Sequence, residues 1–365
     1  MQKFHVYRHG DFLVSFSVFV LIALGLLFIY SASYHSGDSV SVFATRQLMW
    51  ASIGLCLCLI IWKIDYRHFV SSAYLLFAVN IILLLSVLFF GSKTLGAQRW
   101  LRFGFFRLQP SEFFKITMIL FLAKYYAGLP SYKKGYFYCI IIPFLFIGPA
   151  IVLIMKQPDL GTALVLIPVF FALSYIAGTR PVDILYTIIA GVLCAVPGYF
   201  LLKPYQQERI KVFLNPEHDP LGVGYQSIQS KIAVGSGGIL GKGWLKGTQT
   251  QLDFLPERHT DFIFSVIGEE WGFLGAILVI FLFAVLVILA FKIANESRDE
   301  KGKLVASGLG VLFLVHLFIN AGMTIGIMPI TGLPLPFVSY GGSSLITMLV
   351  AVGLLQSIYS RRFMF

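Results

Sequence analysis

Long apolar runs separated by short polar breaks occupy almost all of the 365 residues. A hydrocarbon layer of ~30 Å takes roughly 20 consecutive apolar residues to cross as a helix. Runs of that kind lie at about 12–34, 47–62, 69–90, 111–128, 136–155, 160–178, 183–202, 268–291, 304–328 and 343–359. The pattern predicts an all-α integral membrane protein with about ten transmembrane helices. A large extracytoplasmic loop, about 203–261, falls between helices 7 and 8. No hydrophilic stretch is long enough for a separate soluble domain, so 1–365 reads as one polytopic membrane domain. The first run is too long for a cleavable signal peptide, and no small-residue cleavage site follows it.

Composition narrows the class. The chain is 58% hydrophobic and 12% charged, with mean hydropathy +0.83, where soluble domains carry about a quarter charged residues. That excludes a large cytosolic globule and a disordered chain. The net charge of +11 would suggest nucleic acid in a soluble protein; here it reads first as membrane topology, and no nucleic-acid partner is expected. Placing both termini in the cytoplasm puts at least one Lys or Arg in every short inner loop, as the positive-inside rule requires. Cys56, Cys58, Cys139 and Cys194 all sit in apolar runs, without zinc or redox spacing.

Two segments break the charge pattern. The outer connection 91–115 holds Lys93, Arg99, Arg102, Arg107 and Lys115, and the outer loop holds Lys203, Arg209, Lys211, Lys231, Lys242, Lys246 and Arg258. Together they carry 12 of the 28 basic residues. Either they adhere to anionic headgroups, or they form an external site for an anionic lipid-linked molecule.

Several polar residues stand where a membrane helix penalises them by about 2.5–3.5 kcal/mol each. Pro110 and Ser111 open the fourth span, and Glu112 and Lys115 are spaced to neutralise each other on one face. They form a structural ion pair, or they order a catalytic site, or Lys115 meets a phosphate. Asp159, in Gln157-Pro158-Asp159-Leu160-Gly161-Thr162, caps the sixth helix or reaches an outer cavity. Asp261 follows Arg258 and His259 at a loop-to-membrane junction, placed to cap the next helix or to serve as a general base. Glu269 and Glu270 follow, with at least one expected to face a polar interior. Gly235 to Gly243 fails as a P-loop, because Ser236 and Gly243 stand where Gly and Ser or Thr are needed; close backbone approach is the expected role of its glycines. Met328 to Ser343 is uncharged and irregular, which reads as an outer re-entrant loop walling a site. His316 and Asn320 are spaced i, i+4 as an interhelical hydrogen-bonding pair.

Taken together these segments resemble the SEDS family (shape, elongation, division and sporulation) of bacterial membrane glycosyltransferases. The resemblance rests on Gly96-Ala97-Gln98-Arg99-Trp100, Gln109-Pro110-Ser111-Glu112, Gln157 through Thr162, Asp219-Pro220-Leu221-Gly222, Phe254 through Phe264 and Pro334 through Ser343, in that order along nearly the whole chain. Lys246 through Leu252, ahead of Phe254-Leu255-Pro256-Glu257-Arg258-His259, is similar to the elongation branch more than the division branch. The resemblance implies peptidoglycan strand polymerisation from lipid II in the bacterial inner membrane, with the active site on the extracytoplasmic face. It implies that Asp261 is catalytic, that Glu112 and Lys115 are a functional pair, and that Trp100 is a functional position. It also implies a class B penicillin-binding protein as partner, alongside other membrane proteins of the elongation complex.

In that chemistry Asp261 deprotonates the acceptor 4-hydroxyl, and attack inverts the donor anomeric carbon as undecaprenyl pyrophosphate leaves. Arg99, Arg102, Lys115, Arg209 and Lys211 are the candidate cations for the diphosphate, with Asp159, Arg258 and His259 as further substrate contacts. A divalent cation, Mg or Mn, is an alternative for part of that charge, although no metal cage is visible in the sequence. A lipid-linked precursor flippase and a scaffold for the transpeptidase remain the competing classes.

Overall fold

The computed structural model describes residues 11–34, 40–94, 97–103, 106–200, 204–215, 219 and 222–363. Each apolar run is mostly helical, although runs 69–90 and 268–291 are broken at Ser72 and Trp271 and run 136–155 opens with a π-turn at Phe137–Ile141. The main helices are α1 (Phe12–Ser33), α2 (Val40–Lys63), α4 (Ala73–Phe90), α5 (Pro110–Ala127), α6 (Ile142–Lys156), α7 (Leu160–Ile176), α8 (Pro181–Tyr199), α13 (Gly272–Glu296), α14 (Glu300–Ile325) and α15 (Gly342–Ser360). Short helices α3 (Tyr66–Ser71), α9 (Pro204–Leu214), α10 (Val223–Ser236), α11 (Thr248–Gln251) and α12 (Ile263–Glu270) fill the connections. Among the described residues, seven helices are long and apolar enough to cross a membrane. Of the other three, α7 and the apolar part of α8 are shorter, and α5 carries Glu112, Lys115 and Lys124.

The helix starts are set by side chains the sequence supplies. Asp11 accepts from the Val14 amide at 3.1 Å and Asp299 from the Gly302 amide at 2.8 Å, capping α1 and α14. Pro110 opens α5 where its missing N–H costs nothing. At the far end of α14, Gly326 adopts φ 80° and turns the chain out of the helix.

One feature lies outside the all-helical expectation. The connection after α4 forms a small antiparallel sheet of β1 (Ser92–Thr94), β2 (Ala97–Phe103) and β3 (Phe106–Leu108). Its register pairs Lys93 with Gln98 and Arg102 with Arg107.

The core is built around α14 and α15, the two most enclosed of the candidate spans. Small residues allow the close packing, as expected where lipid gives helices no hydrophobic reason to associate. A Cβ on Gly353 of α15 would lie 2.8 Å from the Cys58 carbonyl oxygen of α2. In the irregular segment 326–341, residues 331–339 are largely buried against the bundle, while Ile327 is exposed. The segment's main chain passes so near α1 that a Cβ on Gly25 would lie 2.7 Å from both the Phe337 and Val338 carbonyl oxygens. By contrast α8 is largely exposed along its length.

Charge is sorted to the two ends. At the end bearing α3, Arg67 pairs with Asp299 at 3.0 Å and Lys134 with Glu300 at 2.7 Å. There the buried Arg361 donates to the Lys63 carbonyl at 2.7 Å and to Ser357 Oγ at 2.8 Å, satisfying chain ends of α2 and α15. The sheet, the starts of α5 and α7, α12 and segment 326–341 gather at the opposite end. Gly25→Val should therefore force α1 off segment 337–338. The thermal midpoint of the detergent-solubilised protein is expected to fall, by the equivalent of about 1–3 kcal/mol of overpacking.

Candidate active site

Asp261 lies in a tight turn made by the residues before it. The Glu257 carbonyl, at φ 50°, accepts from the amides of Thr260 (3.1 Å), Asp261 (3.1 Å) and Phe262 (3.4 Å). Helix α12 begins at Ile263 and its N-cap position is Phe262, so Asp261 stands one residue short of the capping position. Its side chain is half-buried. Gly332 of the irregular segment abuts it: a Cβ there would lie 3.3 Å from Asp261 Oδ2, and Gly332 itself has φ 69°. The re-entrant loop thus walls the carboxylate through a residue without a side chain.

That loop is fastened from several sides. The Tyr340 amide donates to the His259 carbonyl at 2.9 Å, and Gln47 of α2 donates to the Ser339 carbonyl at 3.1 Å. Gln47 also accepts from the Gly341 amide at 3.2 Å. Asn320 of α14 donates to the Leu333 carbonyl at 2.7 Å and to the Asp261 carbonyl at 3.0 Å. His316 and Asn320 thus bond other elements, each a different one. His316 Nε2 is 3.1 Å from Lys115 Nζ.

Glu112 and Lys115 form an ion pair at 2.7 Å, and both are buried. The ammonium of Lys115 is fully enclosed between Glu112 and His316, so it meets no external ligand in this conformation. Of the readings open for the pair, a structural ion pair and ordering of the site both fit this geometry; a direct phosphate contact does not fit this conformation, because burial closes the approach.

Asp159 caps α7, accepting from the Thr162 amide at 3.3 Å. Its Oδ2 also accepts from Gln109 (3.0 Å), Ser111 (2.9 Å) and Thr162 Oγ1 (3.0 Å). It is buried and joins the starts of α5 and α7 instead of facing an open cavity. Arg99 donates to the carbonyls of Gln157 (3.2 Å) and Pro158, pinning the sheet to the same corner. Trp100 is half-exposed and Arg102 exposed on β2. Arg258 is buried, bonded to the Ala32 carbonyl at the end of α1 and paired with Asp253. The His259 ring packs 4.6 Å from Phe43 and 5.8 Å from Tyr340. Lys211 is exposed on α9, 3.8 Å from Glu208. Arg209 belongs to the same helix, and its side chain lies outside the described residues.

The acids after Asp261 do structural work. Glu269 is buried and accepts five hydrogen bonds at 2.8–3.2 Å, from Lys242, Thr248, Gln249 and twice from Thr250. Glu270 accepts from Ser31 of α1 at 2.5 Å. The glycine segment makes this docking possible: a Cβ on Gly237 would lie 1.9 Å from the Gly268 carbonyl oxygen, and Gly241 has φ 78°. Gln47, Ser31 and Thr250 carried no sequence signal beyond being polar, since their partners are distant in the chain.

Residues 12–362 match the family described as cell cycle protein, which groups FtsW, RodA and SpoVE. The chain belongs to this family. The peptidoglycan glycosyltransferase RodA of Treponema pallidum (strain Nichols) is 37% identical over 96% of this chain and 98% of its own. The peptidoglycan glycosyltransferase MrdB of Escherichia coli (strain K12) is 38% identical over 97% of this chain and 94% of its own. A solved peptidoglycan synthase complex, described for its coordination of polymerization and crosslinking, contains a chain that superposes with TM-score 0.82 at 34% identity, covering 98% of this chain and 99% of that one. Rod shape determining protein RodA of Thermus thermophilus superposes with TM-score 0.74 at 29% identity, again over 98% and 99%. A probable FtsW from Trichlorobacter lovleyi is 41% identical over 95% of this chain and 92% of its own. Family membership is therefore firm across both branches, with RodA leading.

Two outcomes follow from the buried groups. Removing one member of the Glu112–Lys115 pair strands the other, so Lys115→Met should destabilise the protein by about 3–5 kcal/mol. Glu112→Gln combined with Lys115→Met should recover part of that in the thermal midpoint. Burial, opposed by the nearby Glu257 and reinforced by Arg258, holds the His259 pKa below its usual value. The neutral form is thus favoured on folding, and stability is lost as pH falls below the unfolded value of about 6.5. His259→Gln should make the thermal midpoint fall less between pH 7 and pH 5.

Proposed function

We propose that this chain is a peptidoglycan glycosyltransferase of the bacterial inner membrane that polymerises lipid II, with Asp261 as general base. The observation that carries the reading is the setting of Asp261. A half-exposed carboxylate at the end of a membrane helix bundle stands against Gly332, whose neighbour Thr331 lines an apolar cleft of about 470 Å³. The cleft runs between Leu164 and Pro168 of α7 and Leu314, Phe318 and Ile319 of α14. An apolar cleft one residue from the glycine that abuts the carboxylate suits a substrate with a polyprenyl tail and a sugar head.

On this reading Asp261 takes the proton from the 4-hydroxyl of the acceptor's N-acetylglucosamine. The freed oxygen attacks the anomeric carbon of the donor's N-acetylmuramic acid from the face opposite the diphosphate. The configuration inverts, and undecaprenyl pyrophosphate departs with the bonding electrons. Of the candidate cations, Arg102, exposed on the sheet, and Lys211, exposed on α9, stay open to that anion, and Arg99 retains partial exposure. Charges held in place before the bond breaks stabilise the leaving group most effectively. Glu112 and Lys115 act at one remove, fixing α5 against α14.

Among the described residues no three His, Cys, Asp or Glu side chains gather as a metal site. No step here is routed through Mg or Mn. Topology follows from the charge pattern: the end with Arg67, Lys134 and Arg361 faces the cytoplasm with both termini, and Asp261 faces outward. A class B penicillin-binding protein that crosslinks the product is the expected partner, in line with the synthase complex to which the fold is similar.

The test is polymerisation of lipid II by the purified chain, alone and with its transpeptidase, read on a gel. Asp261→Asn should insert and fold normally yet make no polymer. Undiminished polymer from that variant, or translocation of lipid II without any polymer from wild type, would sink the proposal.

A further inference from the structure

Asn320 sits in the last third of α14, fully buried, with its two amide hydrogens aimed at two main-chain carbonyls from different loops. One belongs to Asp261 at 3.0 Å, the other to Leu333 at 2.7 Å. Leu333 follows Gly332, the residue that abuts the Asp261 carboxylate. A single amide therefore sets the spacing between the turn that carries the base and the wall the base leans on.

One helical turn earlier, on the same face, His316 Nε2 lies 3.1 Å from Lys115 Nζ. An ammonium only donates, so Nε2 accepts and the imidazole proton belongs on Nδ1. Lys115 in turn holds Glu112 at 2.7 Å. Residues i and i+4 of one rigid helix thus fix the Glu112–Lys115 pair and the Asp261 turn in a common frame. The register between them is set by helix pitch, about 6 Å along the axis, and not by loops.

We infer that Asn320 is a positioning residue for glycosyl transfer: through its paired hydrogen bonds to the Asp261 and Leu333 carbonyls it sets where the Asp261 carboxylate stands. This rests on the polymerase reading above. Because Asn320 is buried it touches no substrate, so its loss misplaces the base without removing a binding contact. A shift of about 1 Å at a reacting group costs roughly 10²-fold in rate. The signature is a fall in kcat at unchanged KM.

The experiment compares wild type, Asn320→Leu and Asn320→Asp as full-length protein, with initial rates over a range of lipid II concentrations. Rates are normalised to monodisperse protein, and thermal midpoints are measured on the same samples. Asn320→Leu keeps the volume but donates nothing, and kcat should fall at least tenfold with KM within twofold. Aspartic acid facing two carbonyls is favoured in its protonated form, which donates one hydrogen bond. Asn320→Asp should therefore recover part of kcat relative to Leu. Folded Asn320→Leu with kcat within twofold of wild type overturns the inference, as does a KM that rises in step with any loss. If Asn320→Leu does not fold, Asn320→Asp decides alone: kcat below half of wild type at unchanged KM upholds the role, and a higher value overturns it. A wild-type preparation that makes no polymer overturns the polymerase reading itself and this inference with it, whereas an active wild type isolates Asn320.

Discussion

Everything at the working end of this protein depends on one constraint: main chain that is not helical, placed among membrane helices, must find its hydrogen-bond partners in protein. Segment 326–341 meets that demand from three elements. Gly326 ends α14, Asn320 takes the Leu333 carbonyl, Gln47 takes the Ser339 carbonyl and Gly341 amide, and the His259 carbonyl takes the Tyr340 amide. Each of those partners comes from a different element. The loop's backbone is thereby tied to three elements, and it offers Asp261 a wall.

The same constraint explains how the acids divide. Glu269, Glu112 and Asp159 are buried and bonded to other side chains: Glu269 docks the glycine-rich loop, Asp159 joins α5 to α7, and Glu112 pairs within α5 with Lys115, which in turn reaches His316 of α14. Carboxylates so enclosed hold elements together. Asp261 differs in keeping partial exposure while its main chain is clamped at both the amide and the carbonyl. A clamped backbone with an accessible carboxylate is what a general base needs, because geometry is settled before the substrate arrives.

The outer cations likewise separate by what they touch. Arg99 and Arg258 donate to main-chain carbonyls that end or link helices, and Lys242 pairs with the buried Glu269 at 2.8 Å. Such residues answer the charge of helix ends and buried acids before they can answer a ligand. Arg102 and Lys211 remain exposed. The excess of basic residues in the outer connections thus has two physical origins, and only part of it is available to an anion.

The sequence by itself placed the apolar helices, because apolar length and turn residues are local properties, though among the described residues seven of them are long and apolar enough to cross a membrane. It also marked Glu112–Lys115 as a pair, since i, i+3 spacing on a helix is enough to bring them together. It read 328–343 as a non-helical wall from its prolines and glycines. It missed the small sheet at 92–108, whose strands carry mixed charge and aromatic residues without clean alternation. Only the tertiary structure showed that Asp261 is not the cap: the helix starts one residue later than a cap would require, a matter of how the Glu257 turn closes. Only tertiary structure, too, brought Asn320 to Asp261 and Gln47 to Ser339, 59 and 292 residues away along the chain. Local sequence fixes what a segment can become, whereas hydrogen bonds between distant segments depend on packing that no single segment encodes.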